Sequence, residues 1–157
     1  MAKRNRKLES AAQPAPKVTY LAAQPFAGGT YRMELGPDQI MEIETGMSRS
    51  SDHMVTMQRY FGVKPMPIFE LFSHIMSGRV EQGEGSIGNP FRSGASMALI
   101  SNVVRLALIG GGECSPADAR QLVADNAPPH CPLQELWNIA AAVMYATLVG
   151  IDESGNG

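Results

Sequence analysis

The stretch Leu106-Ala107-Leu108-Ile109-Gly110-Gly111-Gly112-Glu113-Cys114-Ser115-Pro116-Ala117-Asp118-Ala119 closes one strongly apolar helix and opens another within a few residues. Gly110 to Gly112 suit the left-handed backbone that ends a helix. Ser115 can accept a hydrogen bond from a free amide at the next helix start, and Pro116 suits the first helical position. Asp118, three residues after the cap, completes a serine-x-x-acid signature and favours the positive end of the helix dipole. The segment predicts two joined core helices and carries no phosphate-binding or catalytic pattern of its own.

Upstream, a helical wheel from Ala95 to Ile109 places Ser101, Asn102 and Arg105 on one narrow stripe, while apolar residues cover most of the rest, so this helix is expected at the centre of the core. Downstream, Pro116 to about Asp125 offers Ala119, Leu122 and Val123 on one side. Ala127-Pro128-Pro129-His130-Cys131 breaks it, and Pro132 opens a final helix to about Val149 whose Leu133, Leu136, Trp137, Ala140, Val143, Met144 and Leu148 form an apolar stripe capped by Gly150.

Ile68, Leu71, Phe72, Ile75 and Met76 follow the spacing of a core-facing helix that Gly78 ends, and the glycine-rich Val80 to Gly94 reads as a loop. A first helix is expected from Pro37, with Asp38 in its first turn and Ile40, Ile43 and Met47 at helical spacing, weakened by Gly46. Ser51-Asp52 could cap a short helix running to about Tyr60. Lys17 to Ala22 and Thr30 to Leu35 read as a hairpin joined by a loop longer than two residues, Gln24 to Gly29, and such a hairpin needs helices to lie against. The expected fold is α+β, mainly α: an N-terminal β-hairpin packed on a bundle of about five helices. Residues 1–16 are expected to be a disordered basic and Pro-rich tail, 17–150 a single globular domain, and 151–157 a second disordered tail.

The 157 residues, 44% of them hydrophobic, suffice for one domain with a real core. A formal net charge of −2 gives no overall attraction to nucleic acid or anionic membranes, although Lys3, Arg4, Arg6 and Lys7 make the start locally basic. No apolar run approaches the roughly 20 residues that span a bilayer, and no apolar segment follows the basic cluster as in a secretory signal. A cytosolic protein is expected, with Cys114 and Cys131 as free thiols.

Each constellation that could carry chemistry has a plainer structural reading. His130 and Cys131 are adjacent and point apart, with no third group to orient the imidazole. Cys114, Cys131, His130, His74 and His53 lack the close paired spacing of a structural zinc site. Gly28-Gly29 and Gly110 to Gly112 read as turn and cap. Glu42, Glu44, Glu81 and Glu84 read as solvated surface rather than acid–base pairs. Arg120 and Gln121 beside Asp118 and Asp125 are poor material for a DNA-reading helix. No enzyme activity, metal or cofactor is expected. Of ten methionines, Met41, Met47, Met54, Met57 and Met66 cluster before the Ile68 helix, where they either fill an irregular core or form an adaptable apolar surface.

Gly28-Gly29-Thr30-Tyr31-Arg32-Met33-Glu34-Leu35-Gly36, then Val104-Arg105-Leu106-Ala107-Leu108-Ile109-Gly110-Gly111-Gly112 before the capped Ser115-Pro116 helix, and finally the Pro132-Leu133 helix ending in Leu148-Val149-Gly150, stand in an order that resembles the small phage tail proteins of the gene-transfer-agent type. The resemblance covers about Phe26 to Gly150. The chain departs from that pattern in its longer N-terminus, its extended Ser48 to Pro65 segment and its Val80 to Gly94 loop.

The family is read as tail assembly chaperones. The resemblance therefore implies a non-catalytic helper in the bacterial host cytoplasm that binds the tape-measure protein and delivers it to tail-tube protein during virion morphogenesis, with homo-oligomers possible. Expected contacts lie around Met54, Met57, Tyr60, Phe61 and Phe69, where a helix-in-groove mode would shield apolar tape-measure helices. The competing expectations are a structural tube or tail-completion component retained in the virion, and a DNA-binding regulator acting through the basic N-terminus.

Overall fold

Helix α3 (Met97–Gly110) begins where Ser96 Oγ accepts the Leu99 amide at 3.1 Å, and every residue from Ile100 to Leu108 is buried. In this computed structural model the described residues are 16–47, 63–82, 85–88, 90 and 93–152. The chain is α+β and mainly α: five helices are seen among the described residues, with a β-hairpin at the N-terminal side.

The elements before α3 are β1 (Lys17–Val18), β2 (Tyr20–Phe26), β3 (Gly29–Glu34), α1 (Pro37–Thr45), α2 (Ile68–Met76), β4 (Arg79–Gln82) and β5 (Gly85–Gly88). Those after it are α4 (Pro116–Asp125), α5 (Leu133–Leu148) and β6 (Ile151–Asp152). Helix α3 packs against α4, α5, α1 and strand β3, while α5 also covers α2 and the β2–β3 hairpin. One cluster of buried side chains runs through all of them, from Met33 and Ile43 through Leu71 and Ile75 to Leu136 and Met144. Trp137 Nε1 donates to Ile75 O at 3.1 Å, which ties α5 to the end of α2 and satisfies the buried indole.

The α3–α4 junction follows its sequence signals at the cap: Ser115 Oγ accepts the Asp118 amide at 3.1 Å and Pro116 is the first helical residue. The glycines preceding it serve a different purpose from the expected one. Only Gly112 is left-handed, at φ +82°, whereas Gly111 has the helical φ of −69°. A Cβ on Gly110 would stand 2.0 Å from Glu34 O and one on Gly111 1.9 Å from Arg32 O. These two glycines let the end of α3 touch the backbone of β3.

The hairpin turn is tighter than expected. Phe26 pairs with Gly29 across the two residues Ala27 and Gly28, both at positive φ (53° and 78°), the conformation whose twist matches paired strands. Between the pairs Leu21–Met33 and Gln24–Tyr31, two residues on β2 face one on β3, a bulge at Ala22-Ala23. Strand β1 is not part of this hairpin. Lys17 and Val18 instead pair antiparallel with Asp152 and Ile151, closed by a 2.9 Å ion pair from Lys17 Nζ to Asp152 Oδ1. Ile151 is buried, so the expected C-terminal tail is corrected: its first two residues belong to the fold, because an apolar side chain gains a core contact there.

A second correction concerns Val80 to Gly94. Arg79 to Gln82 and Gly85 to Gly88 form an antiparallel hairpin with Val80 opposite Ile87, and its glycines masked the strand pattern. The expected Ser51 to Tyr60 helix lies outside the described residues.

Candidate functional site

The residues expected to contact a partner divide sharply. Met54, Met57, Tyr60 and Phe61 lie outside the described residues, and Phe69 is described and stands 72% exposed on the first turn of α2. The apolar residues of α2 span more of its circumference than the core covers. Ile68, Leu71 and Ile75 are buried, Phe72 and Met76 are half-buried against the core, and Phe69 continues the same arc into solvent. An aromatic ring left this open, next to two half-covered apolar side chains, is the kind of surface that marks a protein contact.

The segment leading into α2 is firmly placed. Met66 N donates to Ile43 O at 3.1 Å, Pro65 packs where a Cβ on Gly46 would lie, and the Ile68 amide donates to Glu44 Oε2 at 3.1 Å. With no Ser or Asp at the N-cap, Glu44 from α1 supplies the acceptor that the first turn of α2 lacks. At the other end, His74 O accepts from the Gly94 amide and from the hydroxyls of Ser77 and Ser93. Phe69 is therefore presented on a helix held at both ends. Among the methionines, Met33 and Met144 are fully buried, Met41, Met66 and Met76 are half-buried, and Met47 and Met97 are 37% and 50% exposed.

The expectation that Glu42 is solvated surface is overturned. Glu42 is 5% exposed, and its Oε1 accepts from Arg105 Nη2 at 3.2 Å. Asn102 Oδ1 accepts from Arg105 Nε and Nη2 at 3.1 and 2.9 Å. The polar stripe on α3 thus faces α1, and the charge on Arg105 is matched inside the protein because its helix is surrounded on all sides. Glu44 is exposed but engaged at α2, as above. The side chains of Glu81 and Glu84 lie outside what is described.

His53 lies outside the described residues, and the described thiols and imidazoles do not assemble. Among the described residues no group of three or more His, Cys, Asp and Glu comes together in a way that could hold a metal ion. Cys114 and Cys131 are both free and half-buried, and Cys131 Sγ is 3.8 Å from Asn126 Oδ1. Burial pushes the Cys114 thiol up, and the carboxylates of Asp118 and Glu113 push it further in the same direction. A nucleophilic cysteine needs the opposite environment. Iodoacetamide should accordingly modify Cys114 in a Cys131→Ser background more slowly at pH 7.5 than it modifies the unfolded chain. A rate equal to or above that of the unfolded chain would contradict the electrostatic setting described.

Sequence reasoning also missed Glu113, whose Oε2 accepts the Arg32 amide on β3 at 3.1 Å. Together with Gly110 and Gly111, this carboxylate covers that edge of the hairpin against further strand pairing. Helix α4 carries Arg120, Asp118 and Asp125 on exposed positions, and no helix among the described residues is long and apolar enough to cross a membrane. Comparison with protein-family models, curated proteins and solved structures returns no match to this chain.

Proposed function

We propose that this chain is a phage tail assembly chaperone of the gene-transfer-agent type, which holds the tape-measure protein through apolar contact while the tail tube forms around it. The observation that carries the reading is the apolar arc of α2, which runs from the core through Phe72 and Met76 out to the open ring of Phe69. The order of elements supports it: the hairpin, the buried helix closed by glycines, the Ser115-capped helix and the last long helix are the features on which the resemblance rests.

The arc suits a partner helix laid along α2, with each contact modest and many copies acting along one filament. Work of this kind needs a presented surface and no bond-making group. Phe69→Ala is expected to lower recovery of the chain with a co-expressed tape-measure protein about tenfold while leaving the melting temperature unchanged, because a side chain this exposed contributes little to folding. Undiminished recovery would remove Phe69 from the contact. Mass spectrometry of finished particles separates a departing helper from a component, since stoichiometric retention would overturn the chaperone reading.

A further inference from the structure

The β2–β3 hairpin has two outer edges, and the backbone groups of each are met by something. Phe26 and Gly29, closing the two-residue turn, form a hydrogen-bonded pair, so the next pair, Pro25 with Thr30, turns its backbone groups outward. On β2 that outward position is an exposed proline, which has no amide to offer, and its carbonyl accepts from Nε2 of Gln24 at 3.1 Å. Further along the strand the bulge at Ala22-Ala23, both exposed, breaks the regular spacing of backbone groups.

By the same alternation Arg32, two residues beyond Thr30, faces outward from β3. Its amide donates to Glu113 Oε2 at 3.1 Å, and the end of α3 comes so near its carbonyl that a Cβ on Gly111 would stand 1.9 Å away. A row of free backbone groups templates pairing with another chain, and each of these contacts removes part of such a row. Independently of the reading above, we infer that this hairpin is a sheet locked at two strands: Gln24, Pro25 and the bulge on one side, and Glu113 with the glycine end of α3 on the other, exclude a third strand contributed by a second copy of this chain. The β2 edge is the more easily opened, since Ala22, Ala23 and Pro25 are exposed there, whereas α3 lies against β3.

The test is sedimentation velocity of the full chain over a range of concentrations, with far-UV circular dichroism as the check on folding. Gln24→Val combined with Pro25→Thr restores an amide and frees a carbonyl at the β2 edge, and should raise the self-association constant about tenfold or more, the worth of one or two regained backbone hydrogen bonds. Adding Ala23→Lys, a charge on that edge, should return the sedimentation profile to that of the native chain. Pro25→Thr alone, a change at an exposed position, should show the same trend to a smaller degree, and it carries the test if the double variant does not fold. Glu113→Ala should not associate, because α3 still covers Arg32 O.

Association no greater than that of the native chain, in Pro25→Thr and in the folded double variant, overturns the lock on β2. New association that persists after Ala23→Lys runs through another surface and overturns it likewise. Association of Glu113→Ala alone overturns the share assigned to α3. If the native chain itself associates and Ala23→Lys abolishes this, the edge is already open and the inference fails.

Discussion

Gly111→Ala is expected to cost about 3 kcal/mol or more of folding stability, measured by urea unfolding, because the new methyl would stand 1.9 Å from Arg32 O. That neighbour is a strand backbone atom, which cannot swing aside as the tip of a side chain can. The strand is fixed in turn by its pairing with β2 and by the Glu113 carboxylate on the Arg32 amide. Gly110→Ala meets Glu34 O at 2.0 Å and should behave alike.

Gly112→Ala is the informative contrast. Nothing lies within 4 Å of its would-be Cβ, and only its φ of +82° opposes a side chain, so the loss there should be about 1 kcal/mol. Equal losses at positions 111 and 112 would mean that helix termination alone, and no strand contact, requires these glycines.

Arg105→Met should be the most damaging substitution that leaves the backbone untouched. It removes the donor to Glu42 and both donors to Asn102 Oδ1, leaving a carboxylate at 5% exposure without its cation. Breaking one side of such a pair costs about 3–5 kcal/mol. Adding Glu42→Leu to Arg105→Met should recover most of the loss, since the remaining volume is then apolar and the neighbouring Ile43 is already part of the core. The comparison is made by chemical denaturation of the two single variants and the double variant. A double variant no more stable than Arg105→Met would show that the guanidinium matters for packing and not for the charge it matches.

These two features mark where sequence reading ran out. The Ser115 cap, Pro116 and the α2 spacing depend on neighbours within four positions, and each was legible at its place. The Gly110–Glu34 and Gly111–Arg32 approaches join residues far apart in the chain, so the same glycines read equally well as a simple helix stop. Glu42 sits on α1 among residues that read as a polar face, and its partner lies 63 positions away. A signal was nonetheless present: an arginine on a helix apolar around most of its circumference needs an internal counter-charge, though the sequence does not say which acid supplies it.

The β4–β5 hairpin was hidden because Gly85 and Gly88 suggest a loop when the pairing partner is unknown. Phe69 was legible as an apolar residue at the start of the Ile68 helix, and its exposure follows from a helix whose apolar arc is wider than the groove that receives it.

The short pairing of Lys17-Val18 with Ile151-Asp152 decides how the chain responds to load. Because the strands run antiparallel with Lys17 opposite Asp152, tension applied at Lys17 and Asp152 peels the clasp open from its outer rung instead of shearing it. Force reaches Val18 and Ile151 only after the first rung has parted, and the helical body behind them is loaded last. Attachments placed at either side of this clasp leave from one corner of the molecule, so a tether fused to each would emerge in parallel.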